Sequence, residues 1–225
     1  MKSTIKTTKV LGYLGLFASI LVGLGEYFLH YSDSILEYAE NYEFFKFVSL
    51  NNLTIGHFLA VIGLPFYFAG YIHIYKMLRP GNELLARIVL AIGFVAFAVG
   101  GIWIGSRAFV GTIVHMQNEI DAISYQTILN NYTDHLEVLV QILRVVIALL
   151  SIFFVVTILK GGTFYKKWMA IFNPIVILLA LVAIGKFLPS IGKHMLPILM
   201  NVTHFILFSL SLYQLNQHLK TQNNV

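Results

Sequence analysis

Glu137, Gln141 and Arg144 stand in an otherwise apolar run. Their spacing of i, i+4 and i+7 sets them on one face of a helix. Asn201 and His204 are i, i+3 in a second apolar run, and Glu26 and His30 are i, i+4 in a third. His57, Arg107 and Lys186 are further polar residues near the corresponding ends of their segments. Polar groups inside a bilayer are costly and are functional candidates by default. Glu26, His57, Arg107, Glu137, Gln141, Arg144, Lys186, Asn201 and His204 are therefore expected to form one layer. The cations Arg107, Arg144 and Lys186, with Lys193 nearby, would draw a small anion or a lipid headgroup into an outward-facing pocket. Binding of such a ligand is the main expectation. In the alternative, Glu26 or Glu137 is a general base and His57 or His204 an acid or metal ligand, as in an intramembrane, metal-dependent hydrolase. A third reading makes these residues interhelical glue in a helper or assembly subunit. Arg144 is the sharpest case. A lipid-facing Arg at that depth costs at least ~2.5 kcal/mol, so it should point inward and pair with Glu26 or Glu137.

Metal and cofactor chemistry have little support. Cysteine is absent, which excludes disulfides, thiolate ligands and cysteine nucleophiles. There is no HExxH, and no two histidines are four apart, so no metal site and no cofactor is expected. His30 and His73 read as interfacial aromatics.

The elements that must carry these residues follow from composition. The chain is 58% hydrophobic and 11% charged, against roughly a quarter charged in soluble domains. A chain of 225 residues cannot bury that much apolar surface in a soluble core. The apolar residues fall in blocks near the ~20 residues that a helix needs to cross a bilayer. They lack the alternation of a β-barrel. The expected architecture is all-α: one integral membrane domain over 1–225, with six transmembrane helices at roughly 9–29, 53–77, 84–108, 136–159, 168–186 and 198–215. The first block lacks a cleavage site and reads as a retained helix. Pro65 should kink the second helix. Around the third helix the apolar run continues past Arg107 towards Val114, and a polar segment, HMQNEIDAISYQTILNNYTDH, follows.

Loop charges orient the bundle. One side carries Lys2, Lys6, Lys9, Lys76, Arg79, Arg87, Lys160, Lys166, Lys167 and Lys220; the other carries Lys46, Arg107, Arg144, Lys186 and Lys193. Basic loops stay inside, so both termini should be cytoplasmic in a multi-pass protein of the cell membrane. The net charge of +5 is explained by these loops, and no nucleic-acid partner is expected. Membrane lipids are the expected partners, and a homo-oligomer is possible. Gly56, Gly63 and Gly70, with Gly12, Gly15, Ser19 and Gly23, form small-residue stripes. They suit close helix packing within the bundle better than a dimer seam.

Three motifs carry a resemblance: GLGEYFLHY closing the first helix, GHFLAVIGLPFYFAGYIHIYKML as the second, and NVTHFILFSLSLY as the sixth. Together with the pair Gly25-Glu26, they resemble an uncharacterised family of small bacterial six-helix membrane proteins. The resemblance spans most of the chain. It implies the topology and no activity.

Overall fold

The structure, a computed structural model, describes residues 2–31 and 42–223. Among them it is all-α: α1 Lys2–His30, α2 Leu50–Leu78, α3 Glu83–His115, α4 Ala122–Lys160, α5 Pro174–Phe187, α6 Pro189–Met195 and α7 Leu199–Asn223, with 3-10 turns at Glu43–Phe47, Lys167–Phe172 and Leu196–Ile198. Among the described residues five stretches are long and apolar enough to cross a membrane, and the last joins α6 to α7. Large apolar side chains such as Phe58, Ile102, Val145 and Leu179 stand exposed on the outside of the bundle. An apolar exterior of this kind marks a membrane or an interaction surface.

Two expectations need correction. The fifth helix is only 14 residues, about 21 Å at 1.5 Å per residue. Its start is set by Asn173-Pro174. The Asn173 side chain accepts from the Val176 N–H at 3.2 Å, and Pro174 takes the first helical position, where its missing N–H costs nothing. Residues 167–172 therefore form a 3-10 turn instead of the first turns of a longer helix. The fourth helix, expected from 136, begins at Ala122, capped by Asp121. The segment that reads as polar keeps a buried stripe, Tyr125, Leu129 and Leu136, which packs with Val110 and Val114 of α3. Helices α3 and α4 thus continue as a hairpin beyond the length of a span. Before α2, Glu43–Phe47 is a 3-10 turn.

The bundle has two distinguishable ends. The start of α1, the α2–α3 turn, the α4–α5 connection and the end of α7 share one, termed the near end. His73 reaches the Thr8 carbonyl and Ser211 there, and the Phe164 N–H donates to the Met77 carbonyl at 3.0 Å. At the far end His115 of α3 bonds the Val48 carbonyl at 2.8 Å, and Tyr27 of α1 bonds His194 of α6 at 2.8 Å. Glycines join α1 to α2. A Cβ on Gly25 would lie 2.6 Å from the Ala60 nitrogen, and one on Gly15 would lie 2.7 Å from Gly70 Cα. The small-residue stripes are thus an intramolecular seam.

Candidate functional site

Close approach at Gly25 and Gly56 brings the next residue, Glu26, into the bundle near the far end. Glu26 is buried, and its carboxylate accepts a hydrogen bond from the Asn201 side-chain amide of α7. The Asn201 carbonyl oxygen accepts in turn from the Tyr67 hydroxyl of α2 at 2.7 Å. One turn along α7, His204 Nδ1 faces the Met200 carbonyl at 2.8 Å. A carbonyl only accepts, so Nδ1 carries the proton and Nε2 accepts from the Tyr71 hydroxyl at 2.9 Å. Phe97 of α3 closes the group, stacked on Tyr67 at 3.9 Å and edge-on to His204 at 4.9 Å.

These residues border a cavity of about 270 Å³. Glu26, Asn201, His204 and Arg144 of α4 are its polar lining; Phe97, Trp103, Leu143, Ile147 and Met200 are among the apolar walls. Two groups on the wall lack partners. Trp103 Nε1 is buried without a hydrogen bond among the described residues. Arg144 is exposed and has no hydrogen bond or ion pair among the described residues. The expected pairing of Arg144 with Glu26 or Glu137 does not form; the Glu26 carboxylate accepts from Asn201, and Tyr42 donates to Glu137 at 2.8 Å.

The buried arginine is Arg107. Its guanidinium lies 4.6 Å from the Trp103 ring centroid and 5.3 Å from that of Tyr42, with Phe44 and Phe45 at 5.8 and 5.5 Å. Cation–π attraction is strongest in such desolvated settings. Arg107 is also in electrostatic reach of Glu26 and Glu137. Burial, and then the bond to Glu137, push the Tyr42 phenol up to about 12, so it stays a donor at neutral pH.

The expected layer is thus gathered in part. Glu26, Asn201, His204 and Arg144 share the cavity, and Arg107 and Glu137 sit beside it, bridged by Tyr42. His57 is elsewhere, half-buried against Phe58 and Phe109 on the α2–α3 side. Gln141 and Lys186 are exposed and do not line the cavity. Sequence reasoning missed Tyr67, Tyr71 and Trp103. Tyr67 and Tyr71 are i, i+4 and continue the face of Gly63, and that spacing was available as a signal. His73, expected at the interface, is fully buried. Among the described residues no three His, Asp or Glu side chains converge as a metal site requires.

The chain belongs to a family of unknown function (DUF6796), whose model matches residues 1–218. This agrees with the uncharacterised family to which Gly25-Glu26 and the helix motifs point. No curated protein and no solved structure matches the chain.

Proposed function

We propose that this is a multi-pass membrane protein that binds an anionic amphiphile, a lipid or a carboxylate with an apolar body, in the far-end cavity. The near end, which carries Lys6, Lys9, Lys76, Arg79, Arg87, Lys160, Lys166 and Lys167, faces the cytoplasm under the positive-inside rule. Both termini are then cytoplasmic and the cavity lies towards the outer side of the cell membrane. The count of crossings is six on this reading. Helix α4 ends at the near end and α7 begins at the far end, so the short α5 must make the passage between them.

The observation that carries the binding reading is Arg144. A cation that lines a mainly apolar cavity without a hydrogen bond or ion pair among the described residues, in company with Glu26, Asn201 and His204, is placed to receive an anion. Trp103, also on the wall, has a buried Nε1 donor with no hydrogen-bond partner among the described residues. Ligand pockets have this character: apolar walls, a few polar groups, and volumes of roughly 300–1,000 Å³. At about 270 Å³ the cavity falls just below that range and suits one chain or a compact amphiphile.

Native mass spectrometry of protein purified in mild detergent tests this. The wild type should retain an anionic amphiphile, and Arg144→Ala should lose it while its melting temperature is unchanged, since Arg144 makes no hydrogen bond or ion pair. Retention that is identical in Arg144→Ala, or absent in the wild type, overturns the proposal. If Arg144→Ala costs stability alone, the helper-subunit reading replaces it.

A further inference from the structure

A second cavity, about 470 Å³, lies at the near end between the start of α1, the end of α2, the α2–α3 turn and the end of α7. Its lining is amphipathic. Lys76, Arg79 and His218 supply polar groups, and Ile5, Leu215 and Leu219 supply apolar wall.

The charges here are unbalanced. The one carboxylate on the wall, Glu83, is already engaged: it accepts from Arg79 Nε at 2.8 Å, Arg87 at 2.9 Å and the Tyr75 hydroxyl at 3.0 Å. Lys76 has no hydrogen bond or ion pair among the described residues. His218 Nε2 is buried and likewise lacks a hydrogen-bond partner there. Its ring is held by Phe164, with centroids 4.5 Å apart. A free ammonium and an open imidazole nitrogen therefore share one pocket with apolar walls.

The pocket is built on rigid parts. Thr8 lines it, and its carbonyl accepts from His73 Nδ1 at 2.8 Å. His73 Nε2 accepts from Ser211 at 2.6 Å, and Ser211 accepts from the Tyr165 hydroxyl at 2.6 Å. This chain of bonds fixes α1, α2, α7 and the loop before α5 against one another. The same loop is locked to the α2–α3 turn. Gly161 and Gly162 adopt φ of 85° and 76°, and a Cβ on Gly81 would lie 2.5 Å from the Gly161 carbonyl oxygen.

We propose that this pocket is a second ligand site, which takes the phosphate headgroup of an anionic phospholipid from the leaflet at the near end. Lys76 and Arg79 attract the phosphate oxygens, His218 Nε2–H donates to one of them, and Ile5, Leu215 and Leu219 receive the chains. Basic pockets between helices on the cytoplasmic side suit such headgroups. The apolar walls favour a lipid over a free phosphate. The inference rests on the membrane reading above but not on the far-end cavity, because the two sites share no lining residue.

Phosphatidylglycerol and phosphatidylcholine with identical chains, offered to the purified full chain and read by native mass spectrometry, test it. The wild type should prefer phosphatidylglycerol. Lys76→Gln should weaken that preference about fivefold, the loss expected for one basic residue near a surface. Adding His218→Phe, which keeps a ring against Phe164, should weaken it further. Lys76→Arg should retain it, and melting curves identify any variant that has failed to fold. Arg144→Ala, which removes the far-end cation, should leave this preference in place. Equal retention of the two lipids by the wild type overturns the proposal, as does a preference abolished by Arg144→Ala and untouched by folded Lys76→Gln. Displacement of phosphatidylglycerol by millimolar inorganic phosphate would overturn the lipid assignment in favour of a free anion.

Discussion

At the near end, Tyr165, Ser211, His73 and the Thr8 carbonyl form a chain in which both nitrogens of the imidazole are used. At the far end, Tyr67, Asn201 and Glu26 form a similar chain, and Tyr71 and His204 a second. Both clusters are buried and both tie α1 or α2 to α7. They differ in what is left over. The near-end chain closes on itself. The far-end layer borders a cavity and leaves Trp103 Nε1, Arg107 Nε and the whole Arg144 guanidinium without hydrogen-bond partners among the described residues. Polar groups that serve as glue between helices complete their hydrogen bonds with each other. Groups left open beside a cavity are the ones on which the proposed ligand would act. Identical residue types thus close among themselves in the His73 chain and leave groups open beside the far-end cavity, and completeness of the hydrogen bonding separates the two clusters.

The largest effect should come from the seam that holds both clusters in register. Gly25→Val places side-chain atoms where even a Cβ would lie 2.6 Å from the Ala60 nitrogen and 2.7 Å from the Gly56 carbonyl oxygen. Backbone cannot yield as a side chain does, so α1 must move off α2 and carry Glu26 away from Asn201. Overpacking typically costs ~1–3 kcal/mol and occasionally more; this site belongs at the upper end. Thermal melting in detergent should show a large drop, or gel filtration the loss of the folded peak. Gly100→Ala, with nothing within 4 Å of its Cβ, should be neutral. A tolerated Gly25→Val would remove the seam from the account of both ends.

His73→Ala comes next, and it tests the near-end chain as glue. The substitution empties a fully buried site and strips the Thr8 carbonyl and Ser211 of a partner. Cavity and unsatisfied-group terms together suggest about 2–4 kcal/mol. Chemical denaturation should show that loss, while retention of an amphiphile in the far-end cavity is unchanged. Lost retention in a folded His73→Ala protein would mean that the two ends are coupled, and the contrast between them would fail.

Much of this was legible in the amino-acid sequence, and the gaps have physical causes. Apolar block length shows the helical architecture, because in lipid the backbone must satisfy itself. Glu26, Asn201, His204 and Arg144 stand out because polar residues in apolar runs are costly. The length of α4 was hidden: Tyr125 and Leu129 are few among exposed polar neighbours, and their stripe becomes meaningful only against Val110 and Val114 of α3. The shortness of α5 was legible in Asn173-Pro174, a cap signal obscured by the apolar residues that precede it. The pairing of Arg144 could not be read from spacing. Glu137 shares its helix face yet is engaged by Tyr42, which no local pattern announces.

A smaller effect sharpens the far end. Tyr67→Phe removes the donor to the Asn201 carbonyl oxygen and little volume. Interhelical hydrogen bonds in membrane proteins average about 0.6 kcal/mol, with a maximum of ~1.7, so the loss of stability should fall in that range. Asn201 would then be free to turn from Glu26, and amphiphile retention should fall by more than stability does. Equal losses in both would mark the far-end chain as glue of the near-end kind.

The smallest effect separates the buried layer from the exposed hairpin that extends the far end. Asp121 caps α4, its carboxylate accepting from the Ser124 N–H at 2.9 Å. The Ser124 hydroxyl, and then that N–H, hold the Asp121 carboxyl below its ordinary value of 3.8. A depressed carboxyl contributes stability that is complete above its unfolded value and is lost as pH falls through the folded value. Asp121→Ala should therefore melt slightly below the wild type at pH 6, and the gap should close as pH drops below 3.8. Asp121→Asn keeps a capping oxygen without the charge, so its difference from Asp121→Ala should not vary with pH. Amphiphile retention in both variants should match the wild type at pH 6, because the cap lies far along α4 from Arg144. A variant that lost its ligand with so small a change in melting would show that the hairpin helps to shape the cavity, and the far end would then have to be treated as a single unit.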